Sequence, residues 1–126
     1  MSDLSVLLVY KEKGFIFDLT QDVFLPPPDD PQRNIIKIGR RERDTLLYLI
    51  ERQGNVVSRE EILNAVWVGA VVSEANVSMV LSSIRKLIKR IDKECLCLKT
   101  VDRKGYAFTP EKSGLSVEIK ETEYQI

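Results

Sequence analysis

An α+β domain is the fold class this sequence predicts, with short strands first, three helices next and a β-hairpin last. Three observations carry the prediction. Residues 1–38 hold short apolar runs broken by Gly, Asp and Pro, the pattern of an antiparallel meander. The stretch Ser73–Ile91 repeats Val77, Leu81, Ile84, Ile88 and Ile91 at spacings of 4, 3, 4 and 3, which is one buried helical stripe. Near the end, Leu96–Val101 and Tyr106–Thr109 flank a charged tip, Asp102-Arg103-Lys104-Gly105, as two paired strands and their turn would.

In chain order, the strand candidates are Ser5–Tyr10, Phe15–Leu19, Val23–Leu25 and Ile35–Ile38. Pro26-Pro27-Pro28-Asp29-Asp30-Pro31 cannot join a ladder, because proline has no N–H to donate, and reads as an exposed hairpin loop. Arg40–Gln53 is the first helix, with Leu46, Leu47, Leu49 and Ile50 on its buried side and Gly54 at its end. Gly39 gives it a weak start. Ser58–Trp67 is the second helix and starts well, because Ser58 and Glu61 form a capping box. Ile62, Leu63, Val66 and Trp67 supply its apolar face. Val68–Val72 is a short connection, and the long third helix follows, capped by Ser73. Residues 1–110 form one domain. The acidic tail 111–126, at −2, either adds an edge strand through the alternating Leu115–Ile119 or starts a linker.

The bulk numbers exclude several classes. No apolar run is long enough to span a bilayer, and the N-terminus lacks the basic region of a signal peptide. Cys95 and Cys97 lie two apart, so on a strand they would point to opposite faces and not pair. They read as reduced, cytoplasmic residues, with one of them in the core. There is no histidine, which removes the commonest general base. Without a phosphate loop, a metal cluster or an activated nucleophile, the chain does not read as an enzyme, and no cofactor or metal is expected. Lys and Arg total 19, as do Asp and Glu, so the net charge is zero. The distribution is uneven. Residues 82–104 carry eight basic and three acidic side chains, which makes them +5 and the remainder −5. A local positive patch of this kind steers a polyanion toward one face.

That patch lies on the third helix and the hairpin. At about 100° per residue, Met79, Ser82, Ser83, Lys86 and Arg90 fall opposite the apolar stripe. The face is small and hydroxylic in the middle and basic at its end. A helix with an apolar back and such a front fits a DNA major groove, because small residues allow close approach and cations reach phosphates. The second and third helices, joined by a short turn, form a helix-turn-helix, and the hairpin after them is a wing. The fold is therefore a winged helix-turn-helix with an N-terminal antiparallel sheet and a C-terminal β-hairpin wing.

Three motifs carry a family resemblance. Val57-Ser58-Arg59-Glu60-Glu61-Ile62-Leu63-Asn64-Ala65-Val66-Trp67 resembles the second-helix signature of the OmpR/PhoB-type winged helix-turn-helix. Ile84-Arg85-Lys86-Leu87-Ile88 resembles its Leu-Arg-Lys-x-Leu segment, and Leu98-Lys99-Thr100-Val101 with Gly105-Tyr106 resembles its wing. All three occur in order, between about residues 15 and 109. The response-regulator branch usually places Arg-Gly after Thr-Val, where this chain has Asp102 and Arg103. Two basic residues before Gly-Tyr are closer to the CadC/ToxR-like branch of bacterial transcriptional regulators. In that branch the domain is the cytoplasmic part of a membrane-anchored protein. Either this chain is a stand-alone cytoplasmic relative, or it is a domain of a longer regulator.

The resemblance implies sequence-specific binding of double-stranded promoter DNA for transcription regulation. The recognition helix 73–91 would enter the major groove, and the wing 102–105 would lie at the minor groove. Asn76, Met79, Ser82, Ser83 and Lys86 are the candidates for base or near-base contact. The family often carries a basic residue where Ser83 stands, which weakens direct readout there. Lys89 and Arg90 are expected at phosphates. Arg103 and Lys104 would meet the adjacent minor groove, where A·T-rich narrowing favours cations. Thr100 occupies the family's contact position at the wing root, and Arg59 sits where the second helix faces the backbone. Arg40, Arg41 and Arg43 read as solvent-facing, Trp67 as core and Tyr106 as structural. The resemblance also implies a polymerase-facing surface at Val68–Val72 and two copies on tandem half-sites. The competing reading is a winged helix used for contacts with RNA polymerase or a partner regulator.

Overall fold

A computed structural model describes the backbone of residues 2–70 and 72–123 and the side chains of residues 5–70 and 72–120. Val71, in the expected polymerase-facing connection, and tail residues 124–126 lie outside the described residues. The element order is β1 (Ser2–Tyr10), β2 (Phe15–Asp18), β3 (Val23–Leu25), β4 (Ile36–Lys37), α1 (Arg40–Glu51), β5 (Val56–Val57), α2 (Arg59–Val66), α3 (Glu74–Ile88), β6 (Leu98–Val101), β7 (Gly105–Phe108), a 3-10 turn (Pro110–Ser113) and β8 (Ser116–Glu123). The expected architecture is present, with three helices between an N-terminal antiparallel sheet and a C-terminal hairpin.

The larger sheet has strand order β4-β3-β2-β1-β8. Its registers align Leu8 with Phe17, Phe17 with Phe24, and Leu8 with Val117. Because side chains alternate along a strand, these residues share one face. That face enters the core, where Leu8, Phe17 and Phe24 are fully buried and the Phe17 and Phe24 rings meet edge-on at 4.8 Å between centroids. Residues 116–123 form β8, the edge strand of this sheet, with Leu115 buried just before it.

The helices start largely as their sequence dictates. Ser58 Oγ accepts the Glu61 N–H at 3.0 Å, the expected cap of α2. Gly39 gives α1 no side-chain cap, and α1 stops at Glu51, two residues short of Gln53. Ser73 occupies the N-cap of α3, but its hydroxyl makes no capping bond. At its other end α3 finishes at Ile88 rather than Ile91, because the following amides tighten. Arg90 N–H bonds the Leu87 carbonyl and Ile91 N–H bonds that of Ile88, the short i−3 pattern that closes a helix. Asp92 then organises the loop. Its carboxylate accepts the Leu96 N–H at 2.8 Å and the Ser113 hydroxyl at 2.7 Å. Those bonds, the Leu96 amide first, hold its pKa below the ordinary carboxylate range.

This loop displaces the cysteines from the expected strand, which begins at Leu98 instead of Leu96. Cys95 has a left-handed backbone, φ 49°, so the alternation of a strand does not apply and both thiols are buried and free. The hydrogen bond with Cys97, helped by the charge of Arg85, holds the Cys95 thiol down at about 7 against the opposing effect of burial, while Cys97 is pushed up.

Two of the arginines read as solvent-facing are engaged. Arg43 pairs with Asp22 at 2.9 Å and Asp44 at 3.1 Å. Arg41 donates to the Val66 carbonyl at the end of α2 and lies over the buried Trp67 ring.

Candidate nucleic-acid interface

The third helix divides cleanly into two sides. Val77, Leu81, Ile84 and Ile88 are buried in the core, against α1 and α2. The opposite side is free. Met79 is 70% exposed, and Ser82, Lys86, Lys89 and Arg90 are exposed with it. A methionine this open is not packed against a neighbouring turn. Lys89 is the C-cap residue of α3 and Arg90 sits on the turn beyond it, so both cations extend the face past the helix proper. Asn76 and Ser83 are half-buried. The Ser83 hydroxyl donates to the Met79 carbonyl one turn back, at 3.2 Å, so its proton is already used within the helix.

The wing is fixed to the helices at its root. β7 pairs with β6 on one side and with the short β5 on the other, in the order β5-β7-β6. Gly105 makes this approach possible. Its φ is +139°, and a Cβ placed there would lie 1.9 Å from the Val57 carbonyl oxygen, so any side chain would force β7 away from β5. Asp102, Arg103 and Lys104 form the tip, with Arg103 in the left-handed region at φ 62°. Arg103 and Lys104 are exposed and, among the described residues, in no salt bridge.

Two arginines bind wing to helices, and sequence reasoning assigned neither this role. Arg85, on the flank of α3, donates to Thr100 Oγ1 at 2.8 Å and to the Leu98 carbonyl at 3.3 Å. Its guanidinium also lies 5.8 Å from the centre of the Tyr106 ring. Arg59, in the first turn of α2, donates to the Tyr106 hydroxyl at 2.9 Å. Thr100 and Arg59 are therefore engaged within the chain while remaining exposed. Only the length and charge of Arg85, one residue from the apolar stripe, hinted at its reach.

Between the wing and the start of α2 lies a cleft of about 310 Å³, lined by Ser58, Arg59, Glu74, Thr100, Arg103 and Tyr106 among others. The exposed α3 face, the wing tip and this cleft are brought together by the Arg85 and Arg59 bonds. Asn76, Met79, Ser82, Ser83 and Lys86 share one helix, whereas Arg59, Thr100, Arg103 and Lys104 line the cleft beside it.

Comparison with known proteins matches this geometry. The family described as transcriptional regulatory protein, C terminal, matches residues 32–108. The cholera toxin transcriptional activator of Vibrio cholerae is 30% identical over 108 residues, covering 84% of this chain and 36% of that protein. The chain thus spans about a third of the length of that curated relative. Among solved structures, the DNA-binding domain of Escherichia coli CadC superposes with a TM-score of 0.67 at 20% identity, covering 86% of this chain and 94% of that one. The DNA-binding domain of Klebsiella pneumoniae RstA, in complex with the RstA box, superposes with a TM-score of 0.56 at 21% identity, covering 76% and 91%. The winged-helix fold is shared with both. These relatives agree with the CadC/ToxR-like placement, and the matched family is one of transcriptional regulatory proteins.

Proposed function

Because the chain belongs to the family of transcriptional regulatory protein C-terminal domains, we propose that it regulates transcription by binding double-stranded promoter DNA, with α3 in the major groove and the wing at the adjacent minor groove. One observation carries this reading. The free face of α3 and the cationic wing tip are tied into a single surface through Arg85 and Thr100. In this reading Met79, Ser82 and Lys86 approach base edges, with Asn76 and Ser83 flanking them. Lys89, Arg90 and Arg59 meet phosphates, and Arg103 and Lys104 reach into the minor groove, which favours A·T-rich sites. Thr100 acts at the wing root, positioned by Arg85. The domain works in the cytoplasm, either as a stand-alone regulator or as the cytoplasmic part of a membrane-anchored one. No described helix is itself long and apolar enough to cross a membrane. Contact with RNA polymerase through residues 68–72, and two copies on tandem half-sites, belong to the same reading.

The test is a titration of duplex DNA at two salt concentrations, using A·T-rich promoter fragments and a G·C-rich control. Preference for the A·T-rich fragments, steeply lost with salt, is the expected result. Arg103→Ala should flatten the salt slope by about one charge, and Lys86→Glu should abolish binding without unfolding. Salt-insensitive or absent binding at low salt would favour the alternative, a module that contacts polymerase or a partner regulator.

A further inference from the structure

The free edge of the larger sheet is β8, and its backbone is poised for pairing. Val6 of β1 lies opposite Ile119. The Val6 N–H donates to Thr20 Oγ1 at 3.1 Å and its carbonyl accepts the Leu19 N–H at 3.0 Å, so both groups face β2. In an antiparallel ladder a residue pair exchanges both bonds or neither. The Val6–Ile119 pair therefore exchanges neither, and the N–H and C=O of Ile119 point away from β1. By alternation so do those of residues 117 and 121. No described strand pairs on that side. The strand is eight residues long, longer than the very short edge strands that many natural sheets use. Ile119 is 62% exposed beside it.

We infer that β8 is a self-association edge, pairing antiparallel with β8 of a second copy in a register centred on Ile119. The charge pattern selects both occupant and register. Outward-facing residues must meet outward-facing residues, so a two-fold register centres on a single residue of the strand. Centring on Glu118, Lys120 or Glu121 sets like charges directly opposite each other, which destabilises pairing. Centring on residue 117 forms no ion pair. Centring on Ile119 sets Glu118 opposite Lys120 of the other copy, and symmetry makes the pair twice. Those ion pairs fall at the positions that exchange no hydrogen bonds, where the Cα atoms approach to about 4.5 Å. The outward amides and carbonyls of residues 117, 119 and 121 bond across the junction. The contact is isologous and merges the two sheets into one. It sets the two copies in opposite sense, a contact distinct from the head-to-tail arrangement of two copies on tandem half-sites. It does not depend on the DNA-binding reading.

Sedimentation equilibrium of the purified chain without DNA tests this. The wild type should dimerise reversibly. Glu118→Lys or Lys120→Glu alone sets like charges opposite each other at two points and should weaken the dimer about tenfold. The double reversal restores both pairs and should return the affinity to within about twofold. Ile119→Pro removes an N–H that the β1 ladder does not use, so it should stay folded by circular dichroism and be monomeric. A wild type that is monomeric at about millimolar concentration, a dimer indifferent to the single reversals, or a double reversal that fails to restore it would overturn the proposal. Unfolding of Ile119→Pro would contradict the outward direction of that amide.

Discussion

Replacing Arg85 with methionine separates positioning of the wing from direct contact with DNA. Methionine keeps an apolar stem of similar length and removes only the guanidinium. The losses are the 2.8 Å bond to Thr100 Oγ1, the weaker 3.3 Å bond to the Leu98 carbonyl and the contact with the Tyr106 ring. A bond of the first kind is worth about 1 kcal/mol net, the long one about half that, and a partly exposed cation over a ring about 0.5 kcal/mol. Together they predict a loss of about 2 kcal/mol, or roughly 8 °C in Tm for a chain of this length. Thermal unfolding followed by circular dichroism measures this. Duplex affinity at several salt concentrations measures the consequence. A wing freed at its root pays an ordering cost on binding, so affinity should fall while the salt slope stays unchanged. A Tm within about 1 °C of wild type would refute the tether. A slope reduced by about one charge would show that Arg85 itself neutralises a phosphate.

Further predictions concern a base contact and an acid-sensitive loop. If Met79 lies against thymine methyl groups, replacing a contacted thymine with uracil should weaken wild-type binding about fourfold, the value of one buried carbon. Met79→Ala should bind both duplexes equally, and a uracil effect that persists in the variant would take Met79 out of the contact. Asp92 has a folded pKa below its ordinary range, so its contribution to stability is complete above that range and is lost as pH falls through the folded value. Asp92→Asn should therefore be less stable than wild type at neutral pH, by about 1 kcal/mol after allowance for partial exposure. The gap should narrow as pH falls from neutral through the ordinary carboxylate range and below it. A gap constant over that span in urea unfolding would exclude the charge as its cause.

The parts of this fold that are legible in sequence are those that local chemistry decides. The capping box at Ser58 and Glu61 fixes the start of α2, and the stripe of Val77, Leu81, Ile84 and Ile88 fixes both the existence of α3 and the face it buries. Where tertiary partners decide, the sequence says less. β5 is only Val56–Val57 and exists because β7 offers it a ladder. Ile91 continues the helical spacing, yet the chain turns first, because Asp92 finds amides and the Ser113 hydroxyl to bond. The tail carries an alternating pattern that fits edge strand and linker alike, and its pairing with β1 is decided by a partner distant in sequence. The candidate site divides the same way. Met79, Ser82 and Lys86 follow from helical periodicity alone. Arg85 and the bond from Arg59 to Tyr106 do not, because each spans residues far apart in sequence.

The most direct test of the central claim is amide chemical-shift mapping of the isotope-labelled chain as an A·T-rich duplex is added. The largest changes should cluster at residues 76–90, 99–105 and around Arg59, leaving β2, β3 and β4 unmoved. Changes centred on the larger sheet or on residues 68–72, with α3 and the wing silent, would contradict the assignment of this surface to DNA.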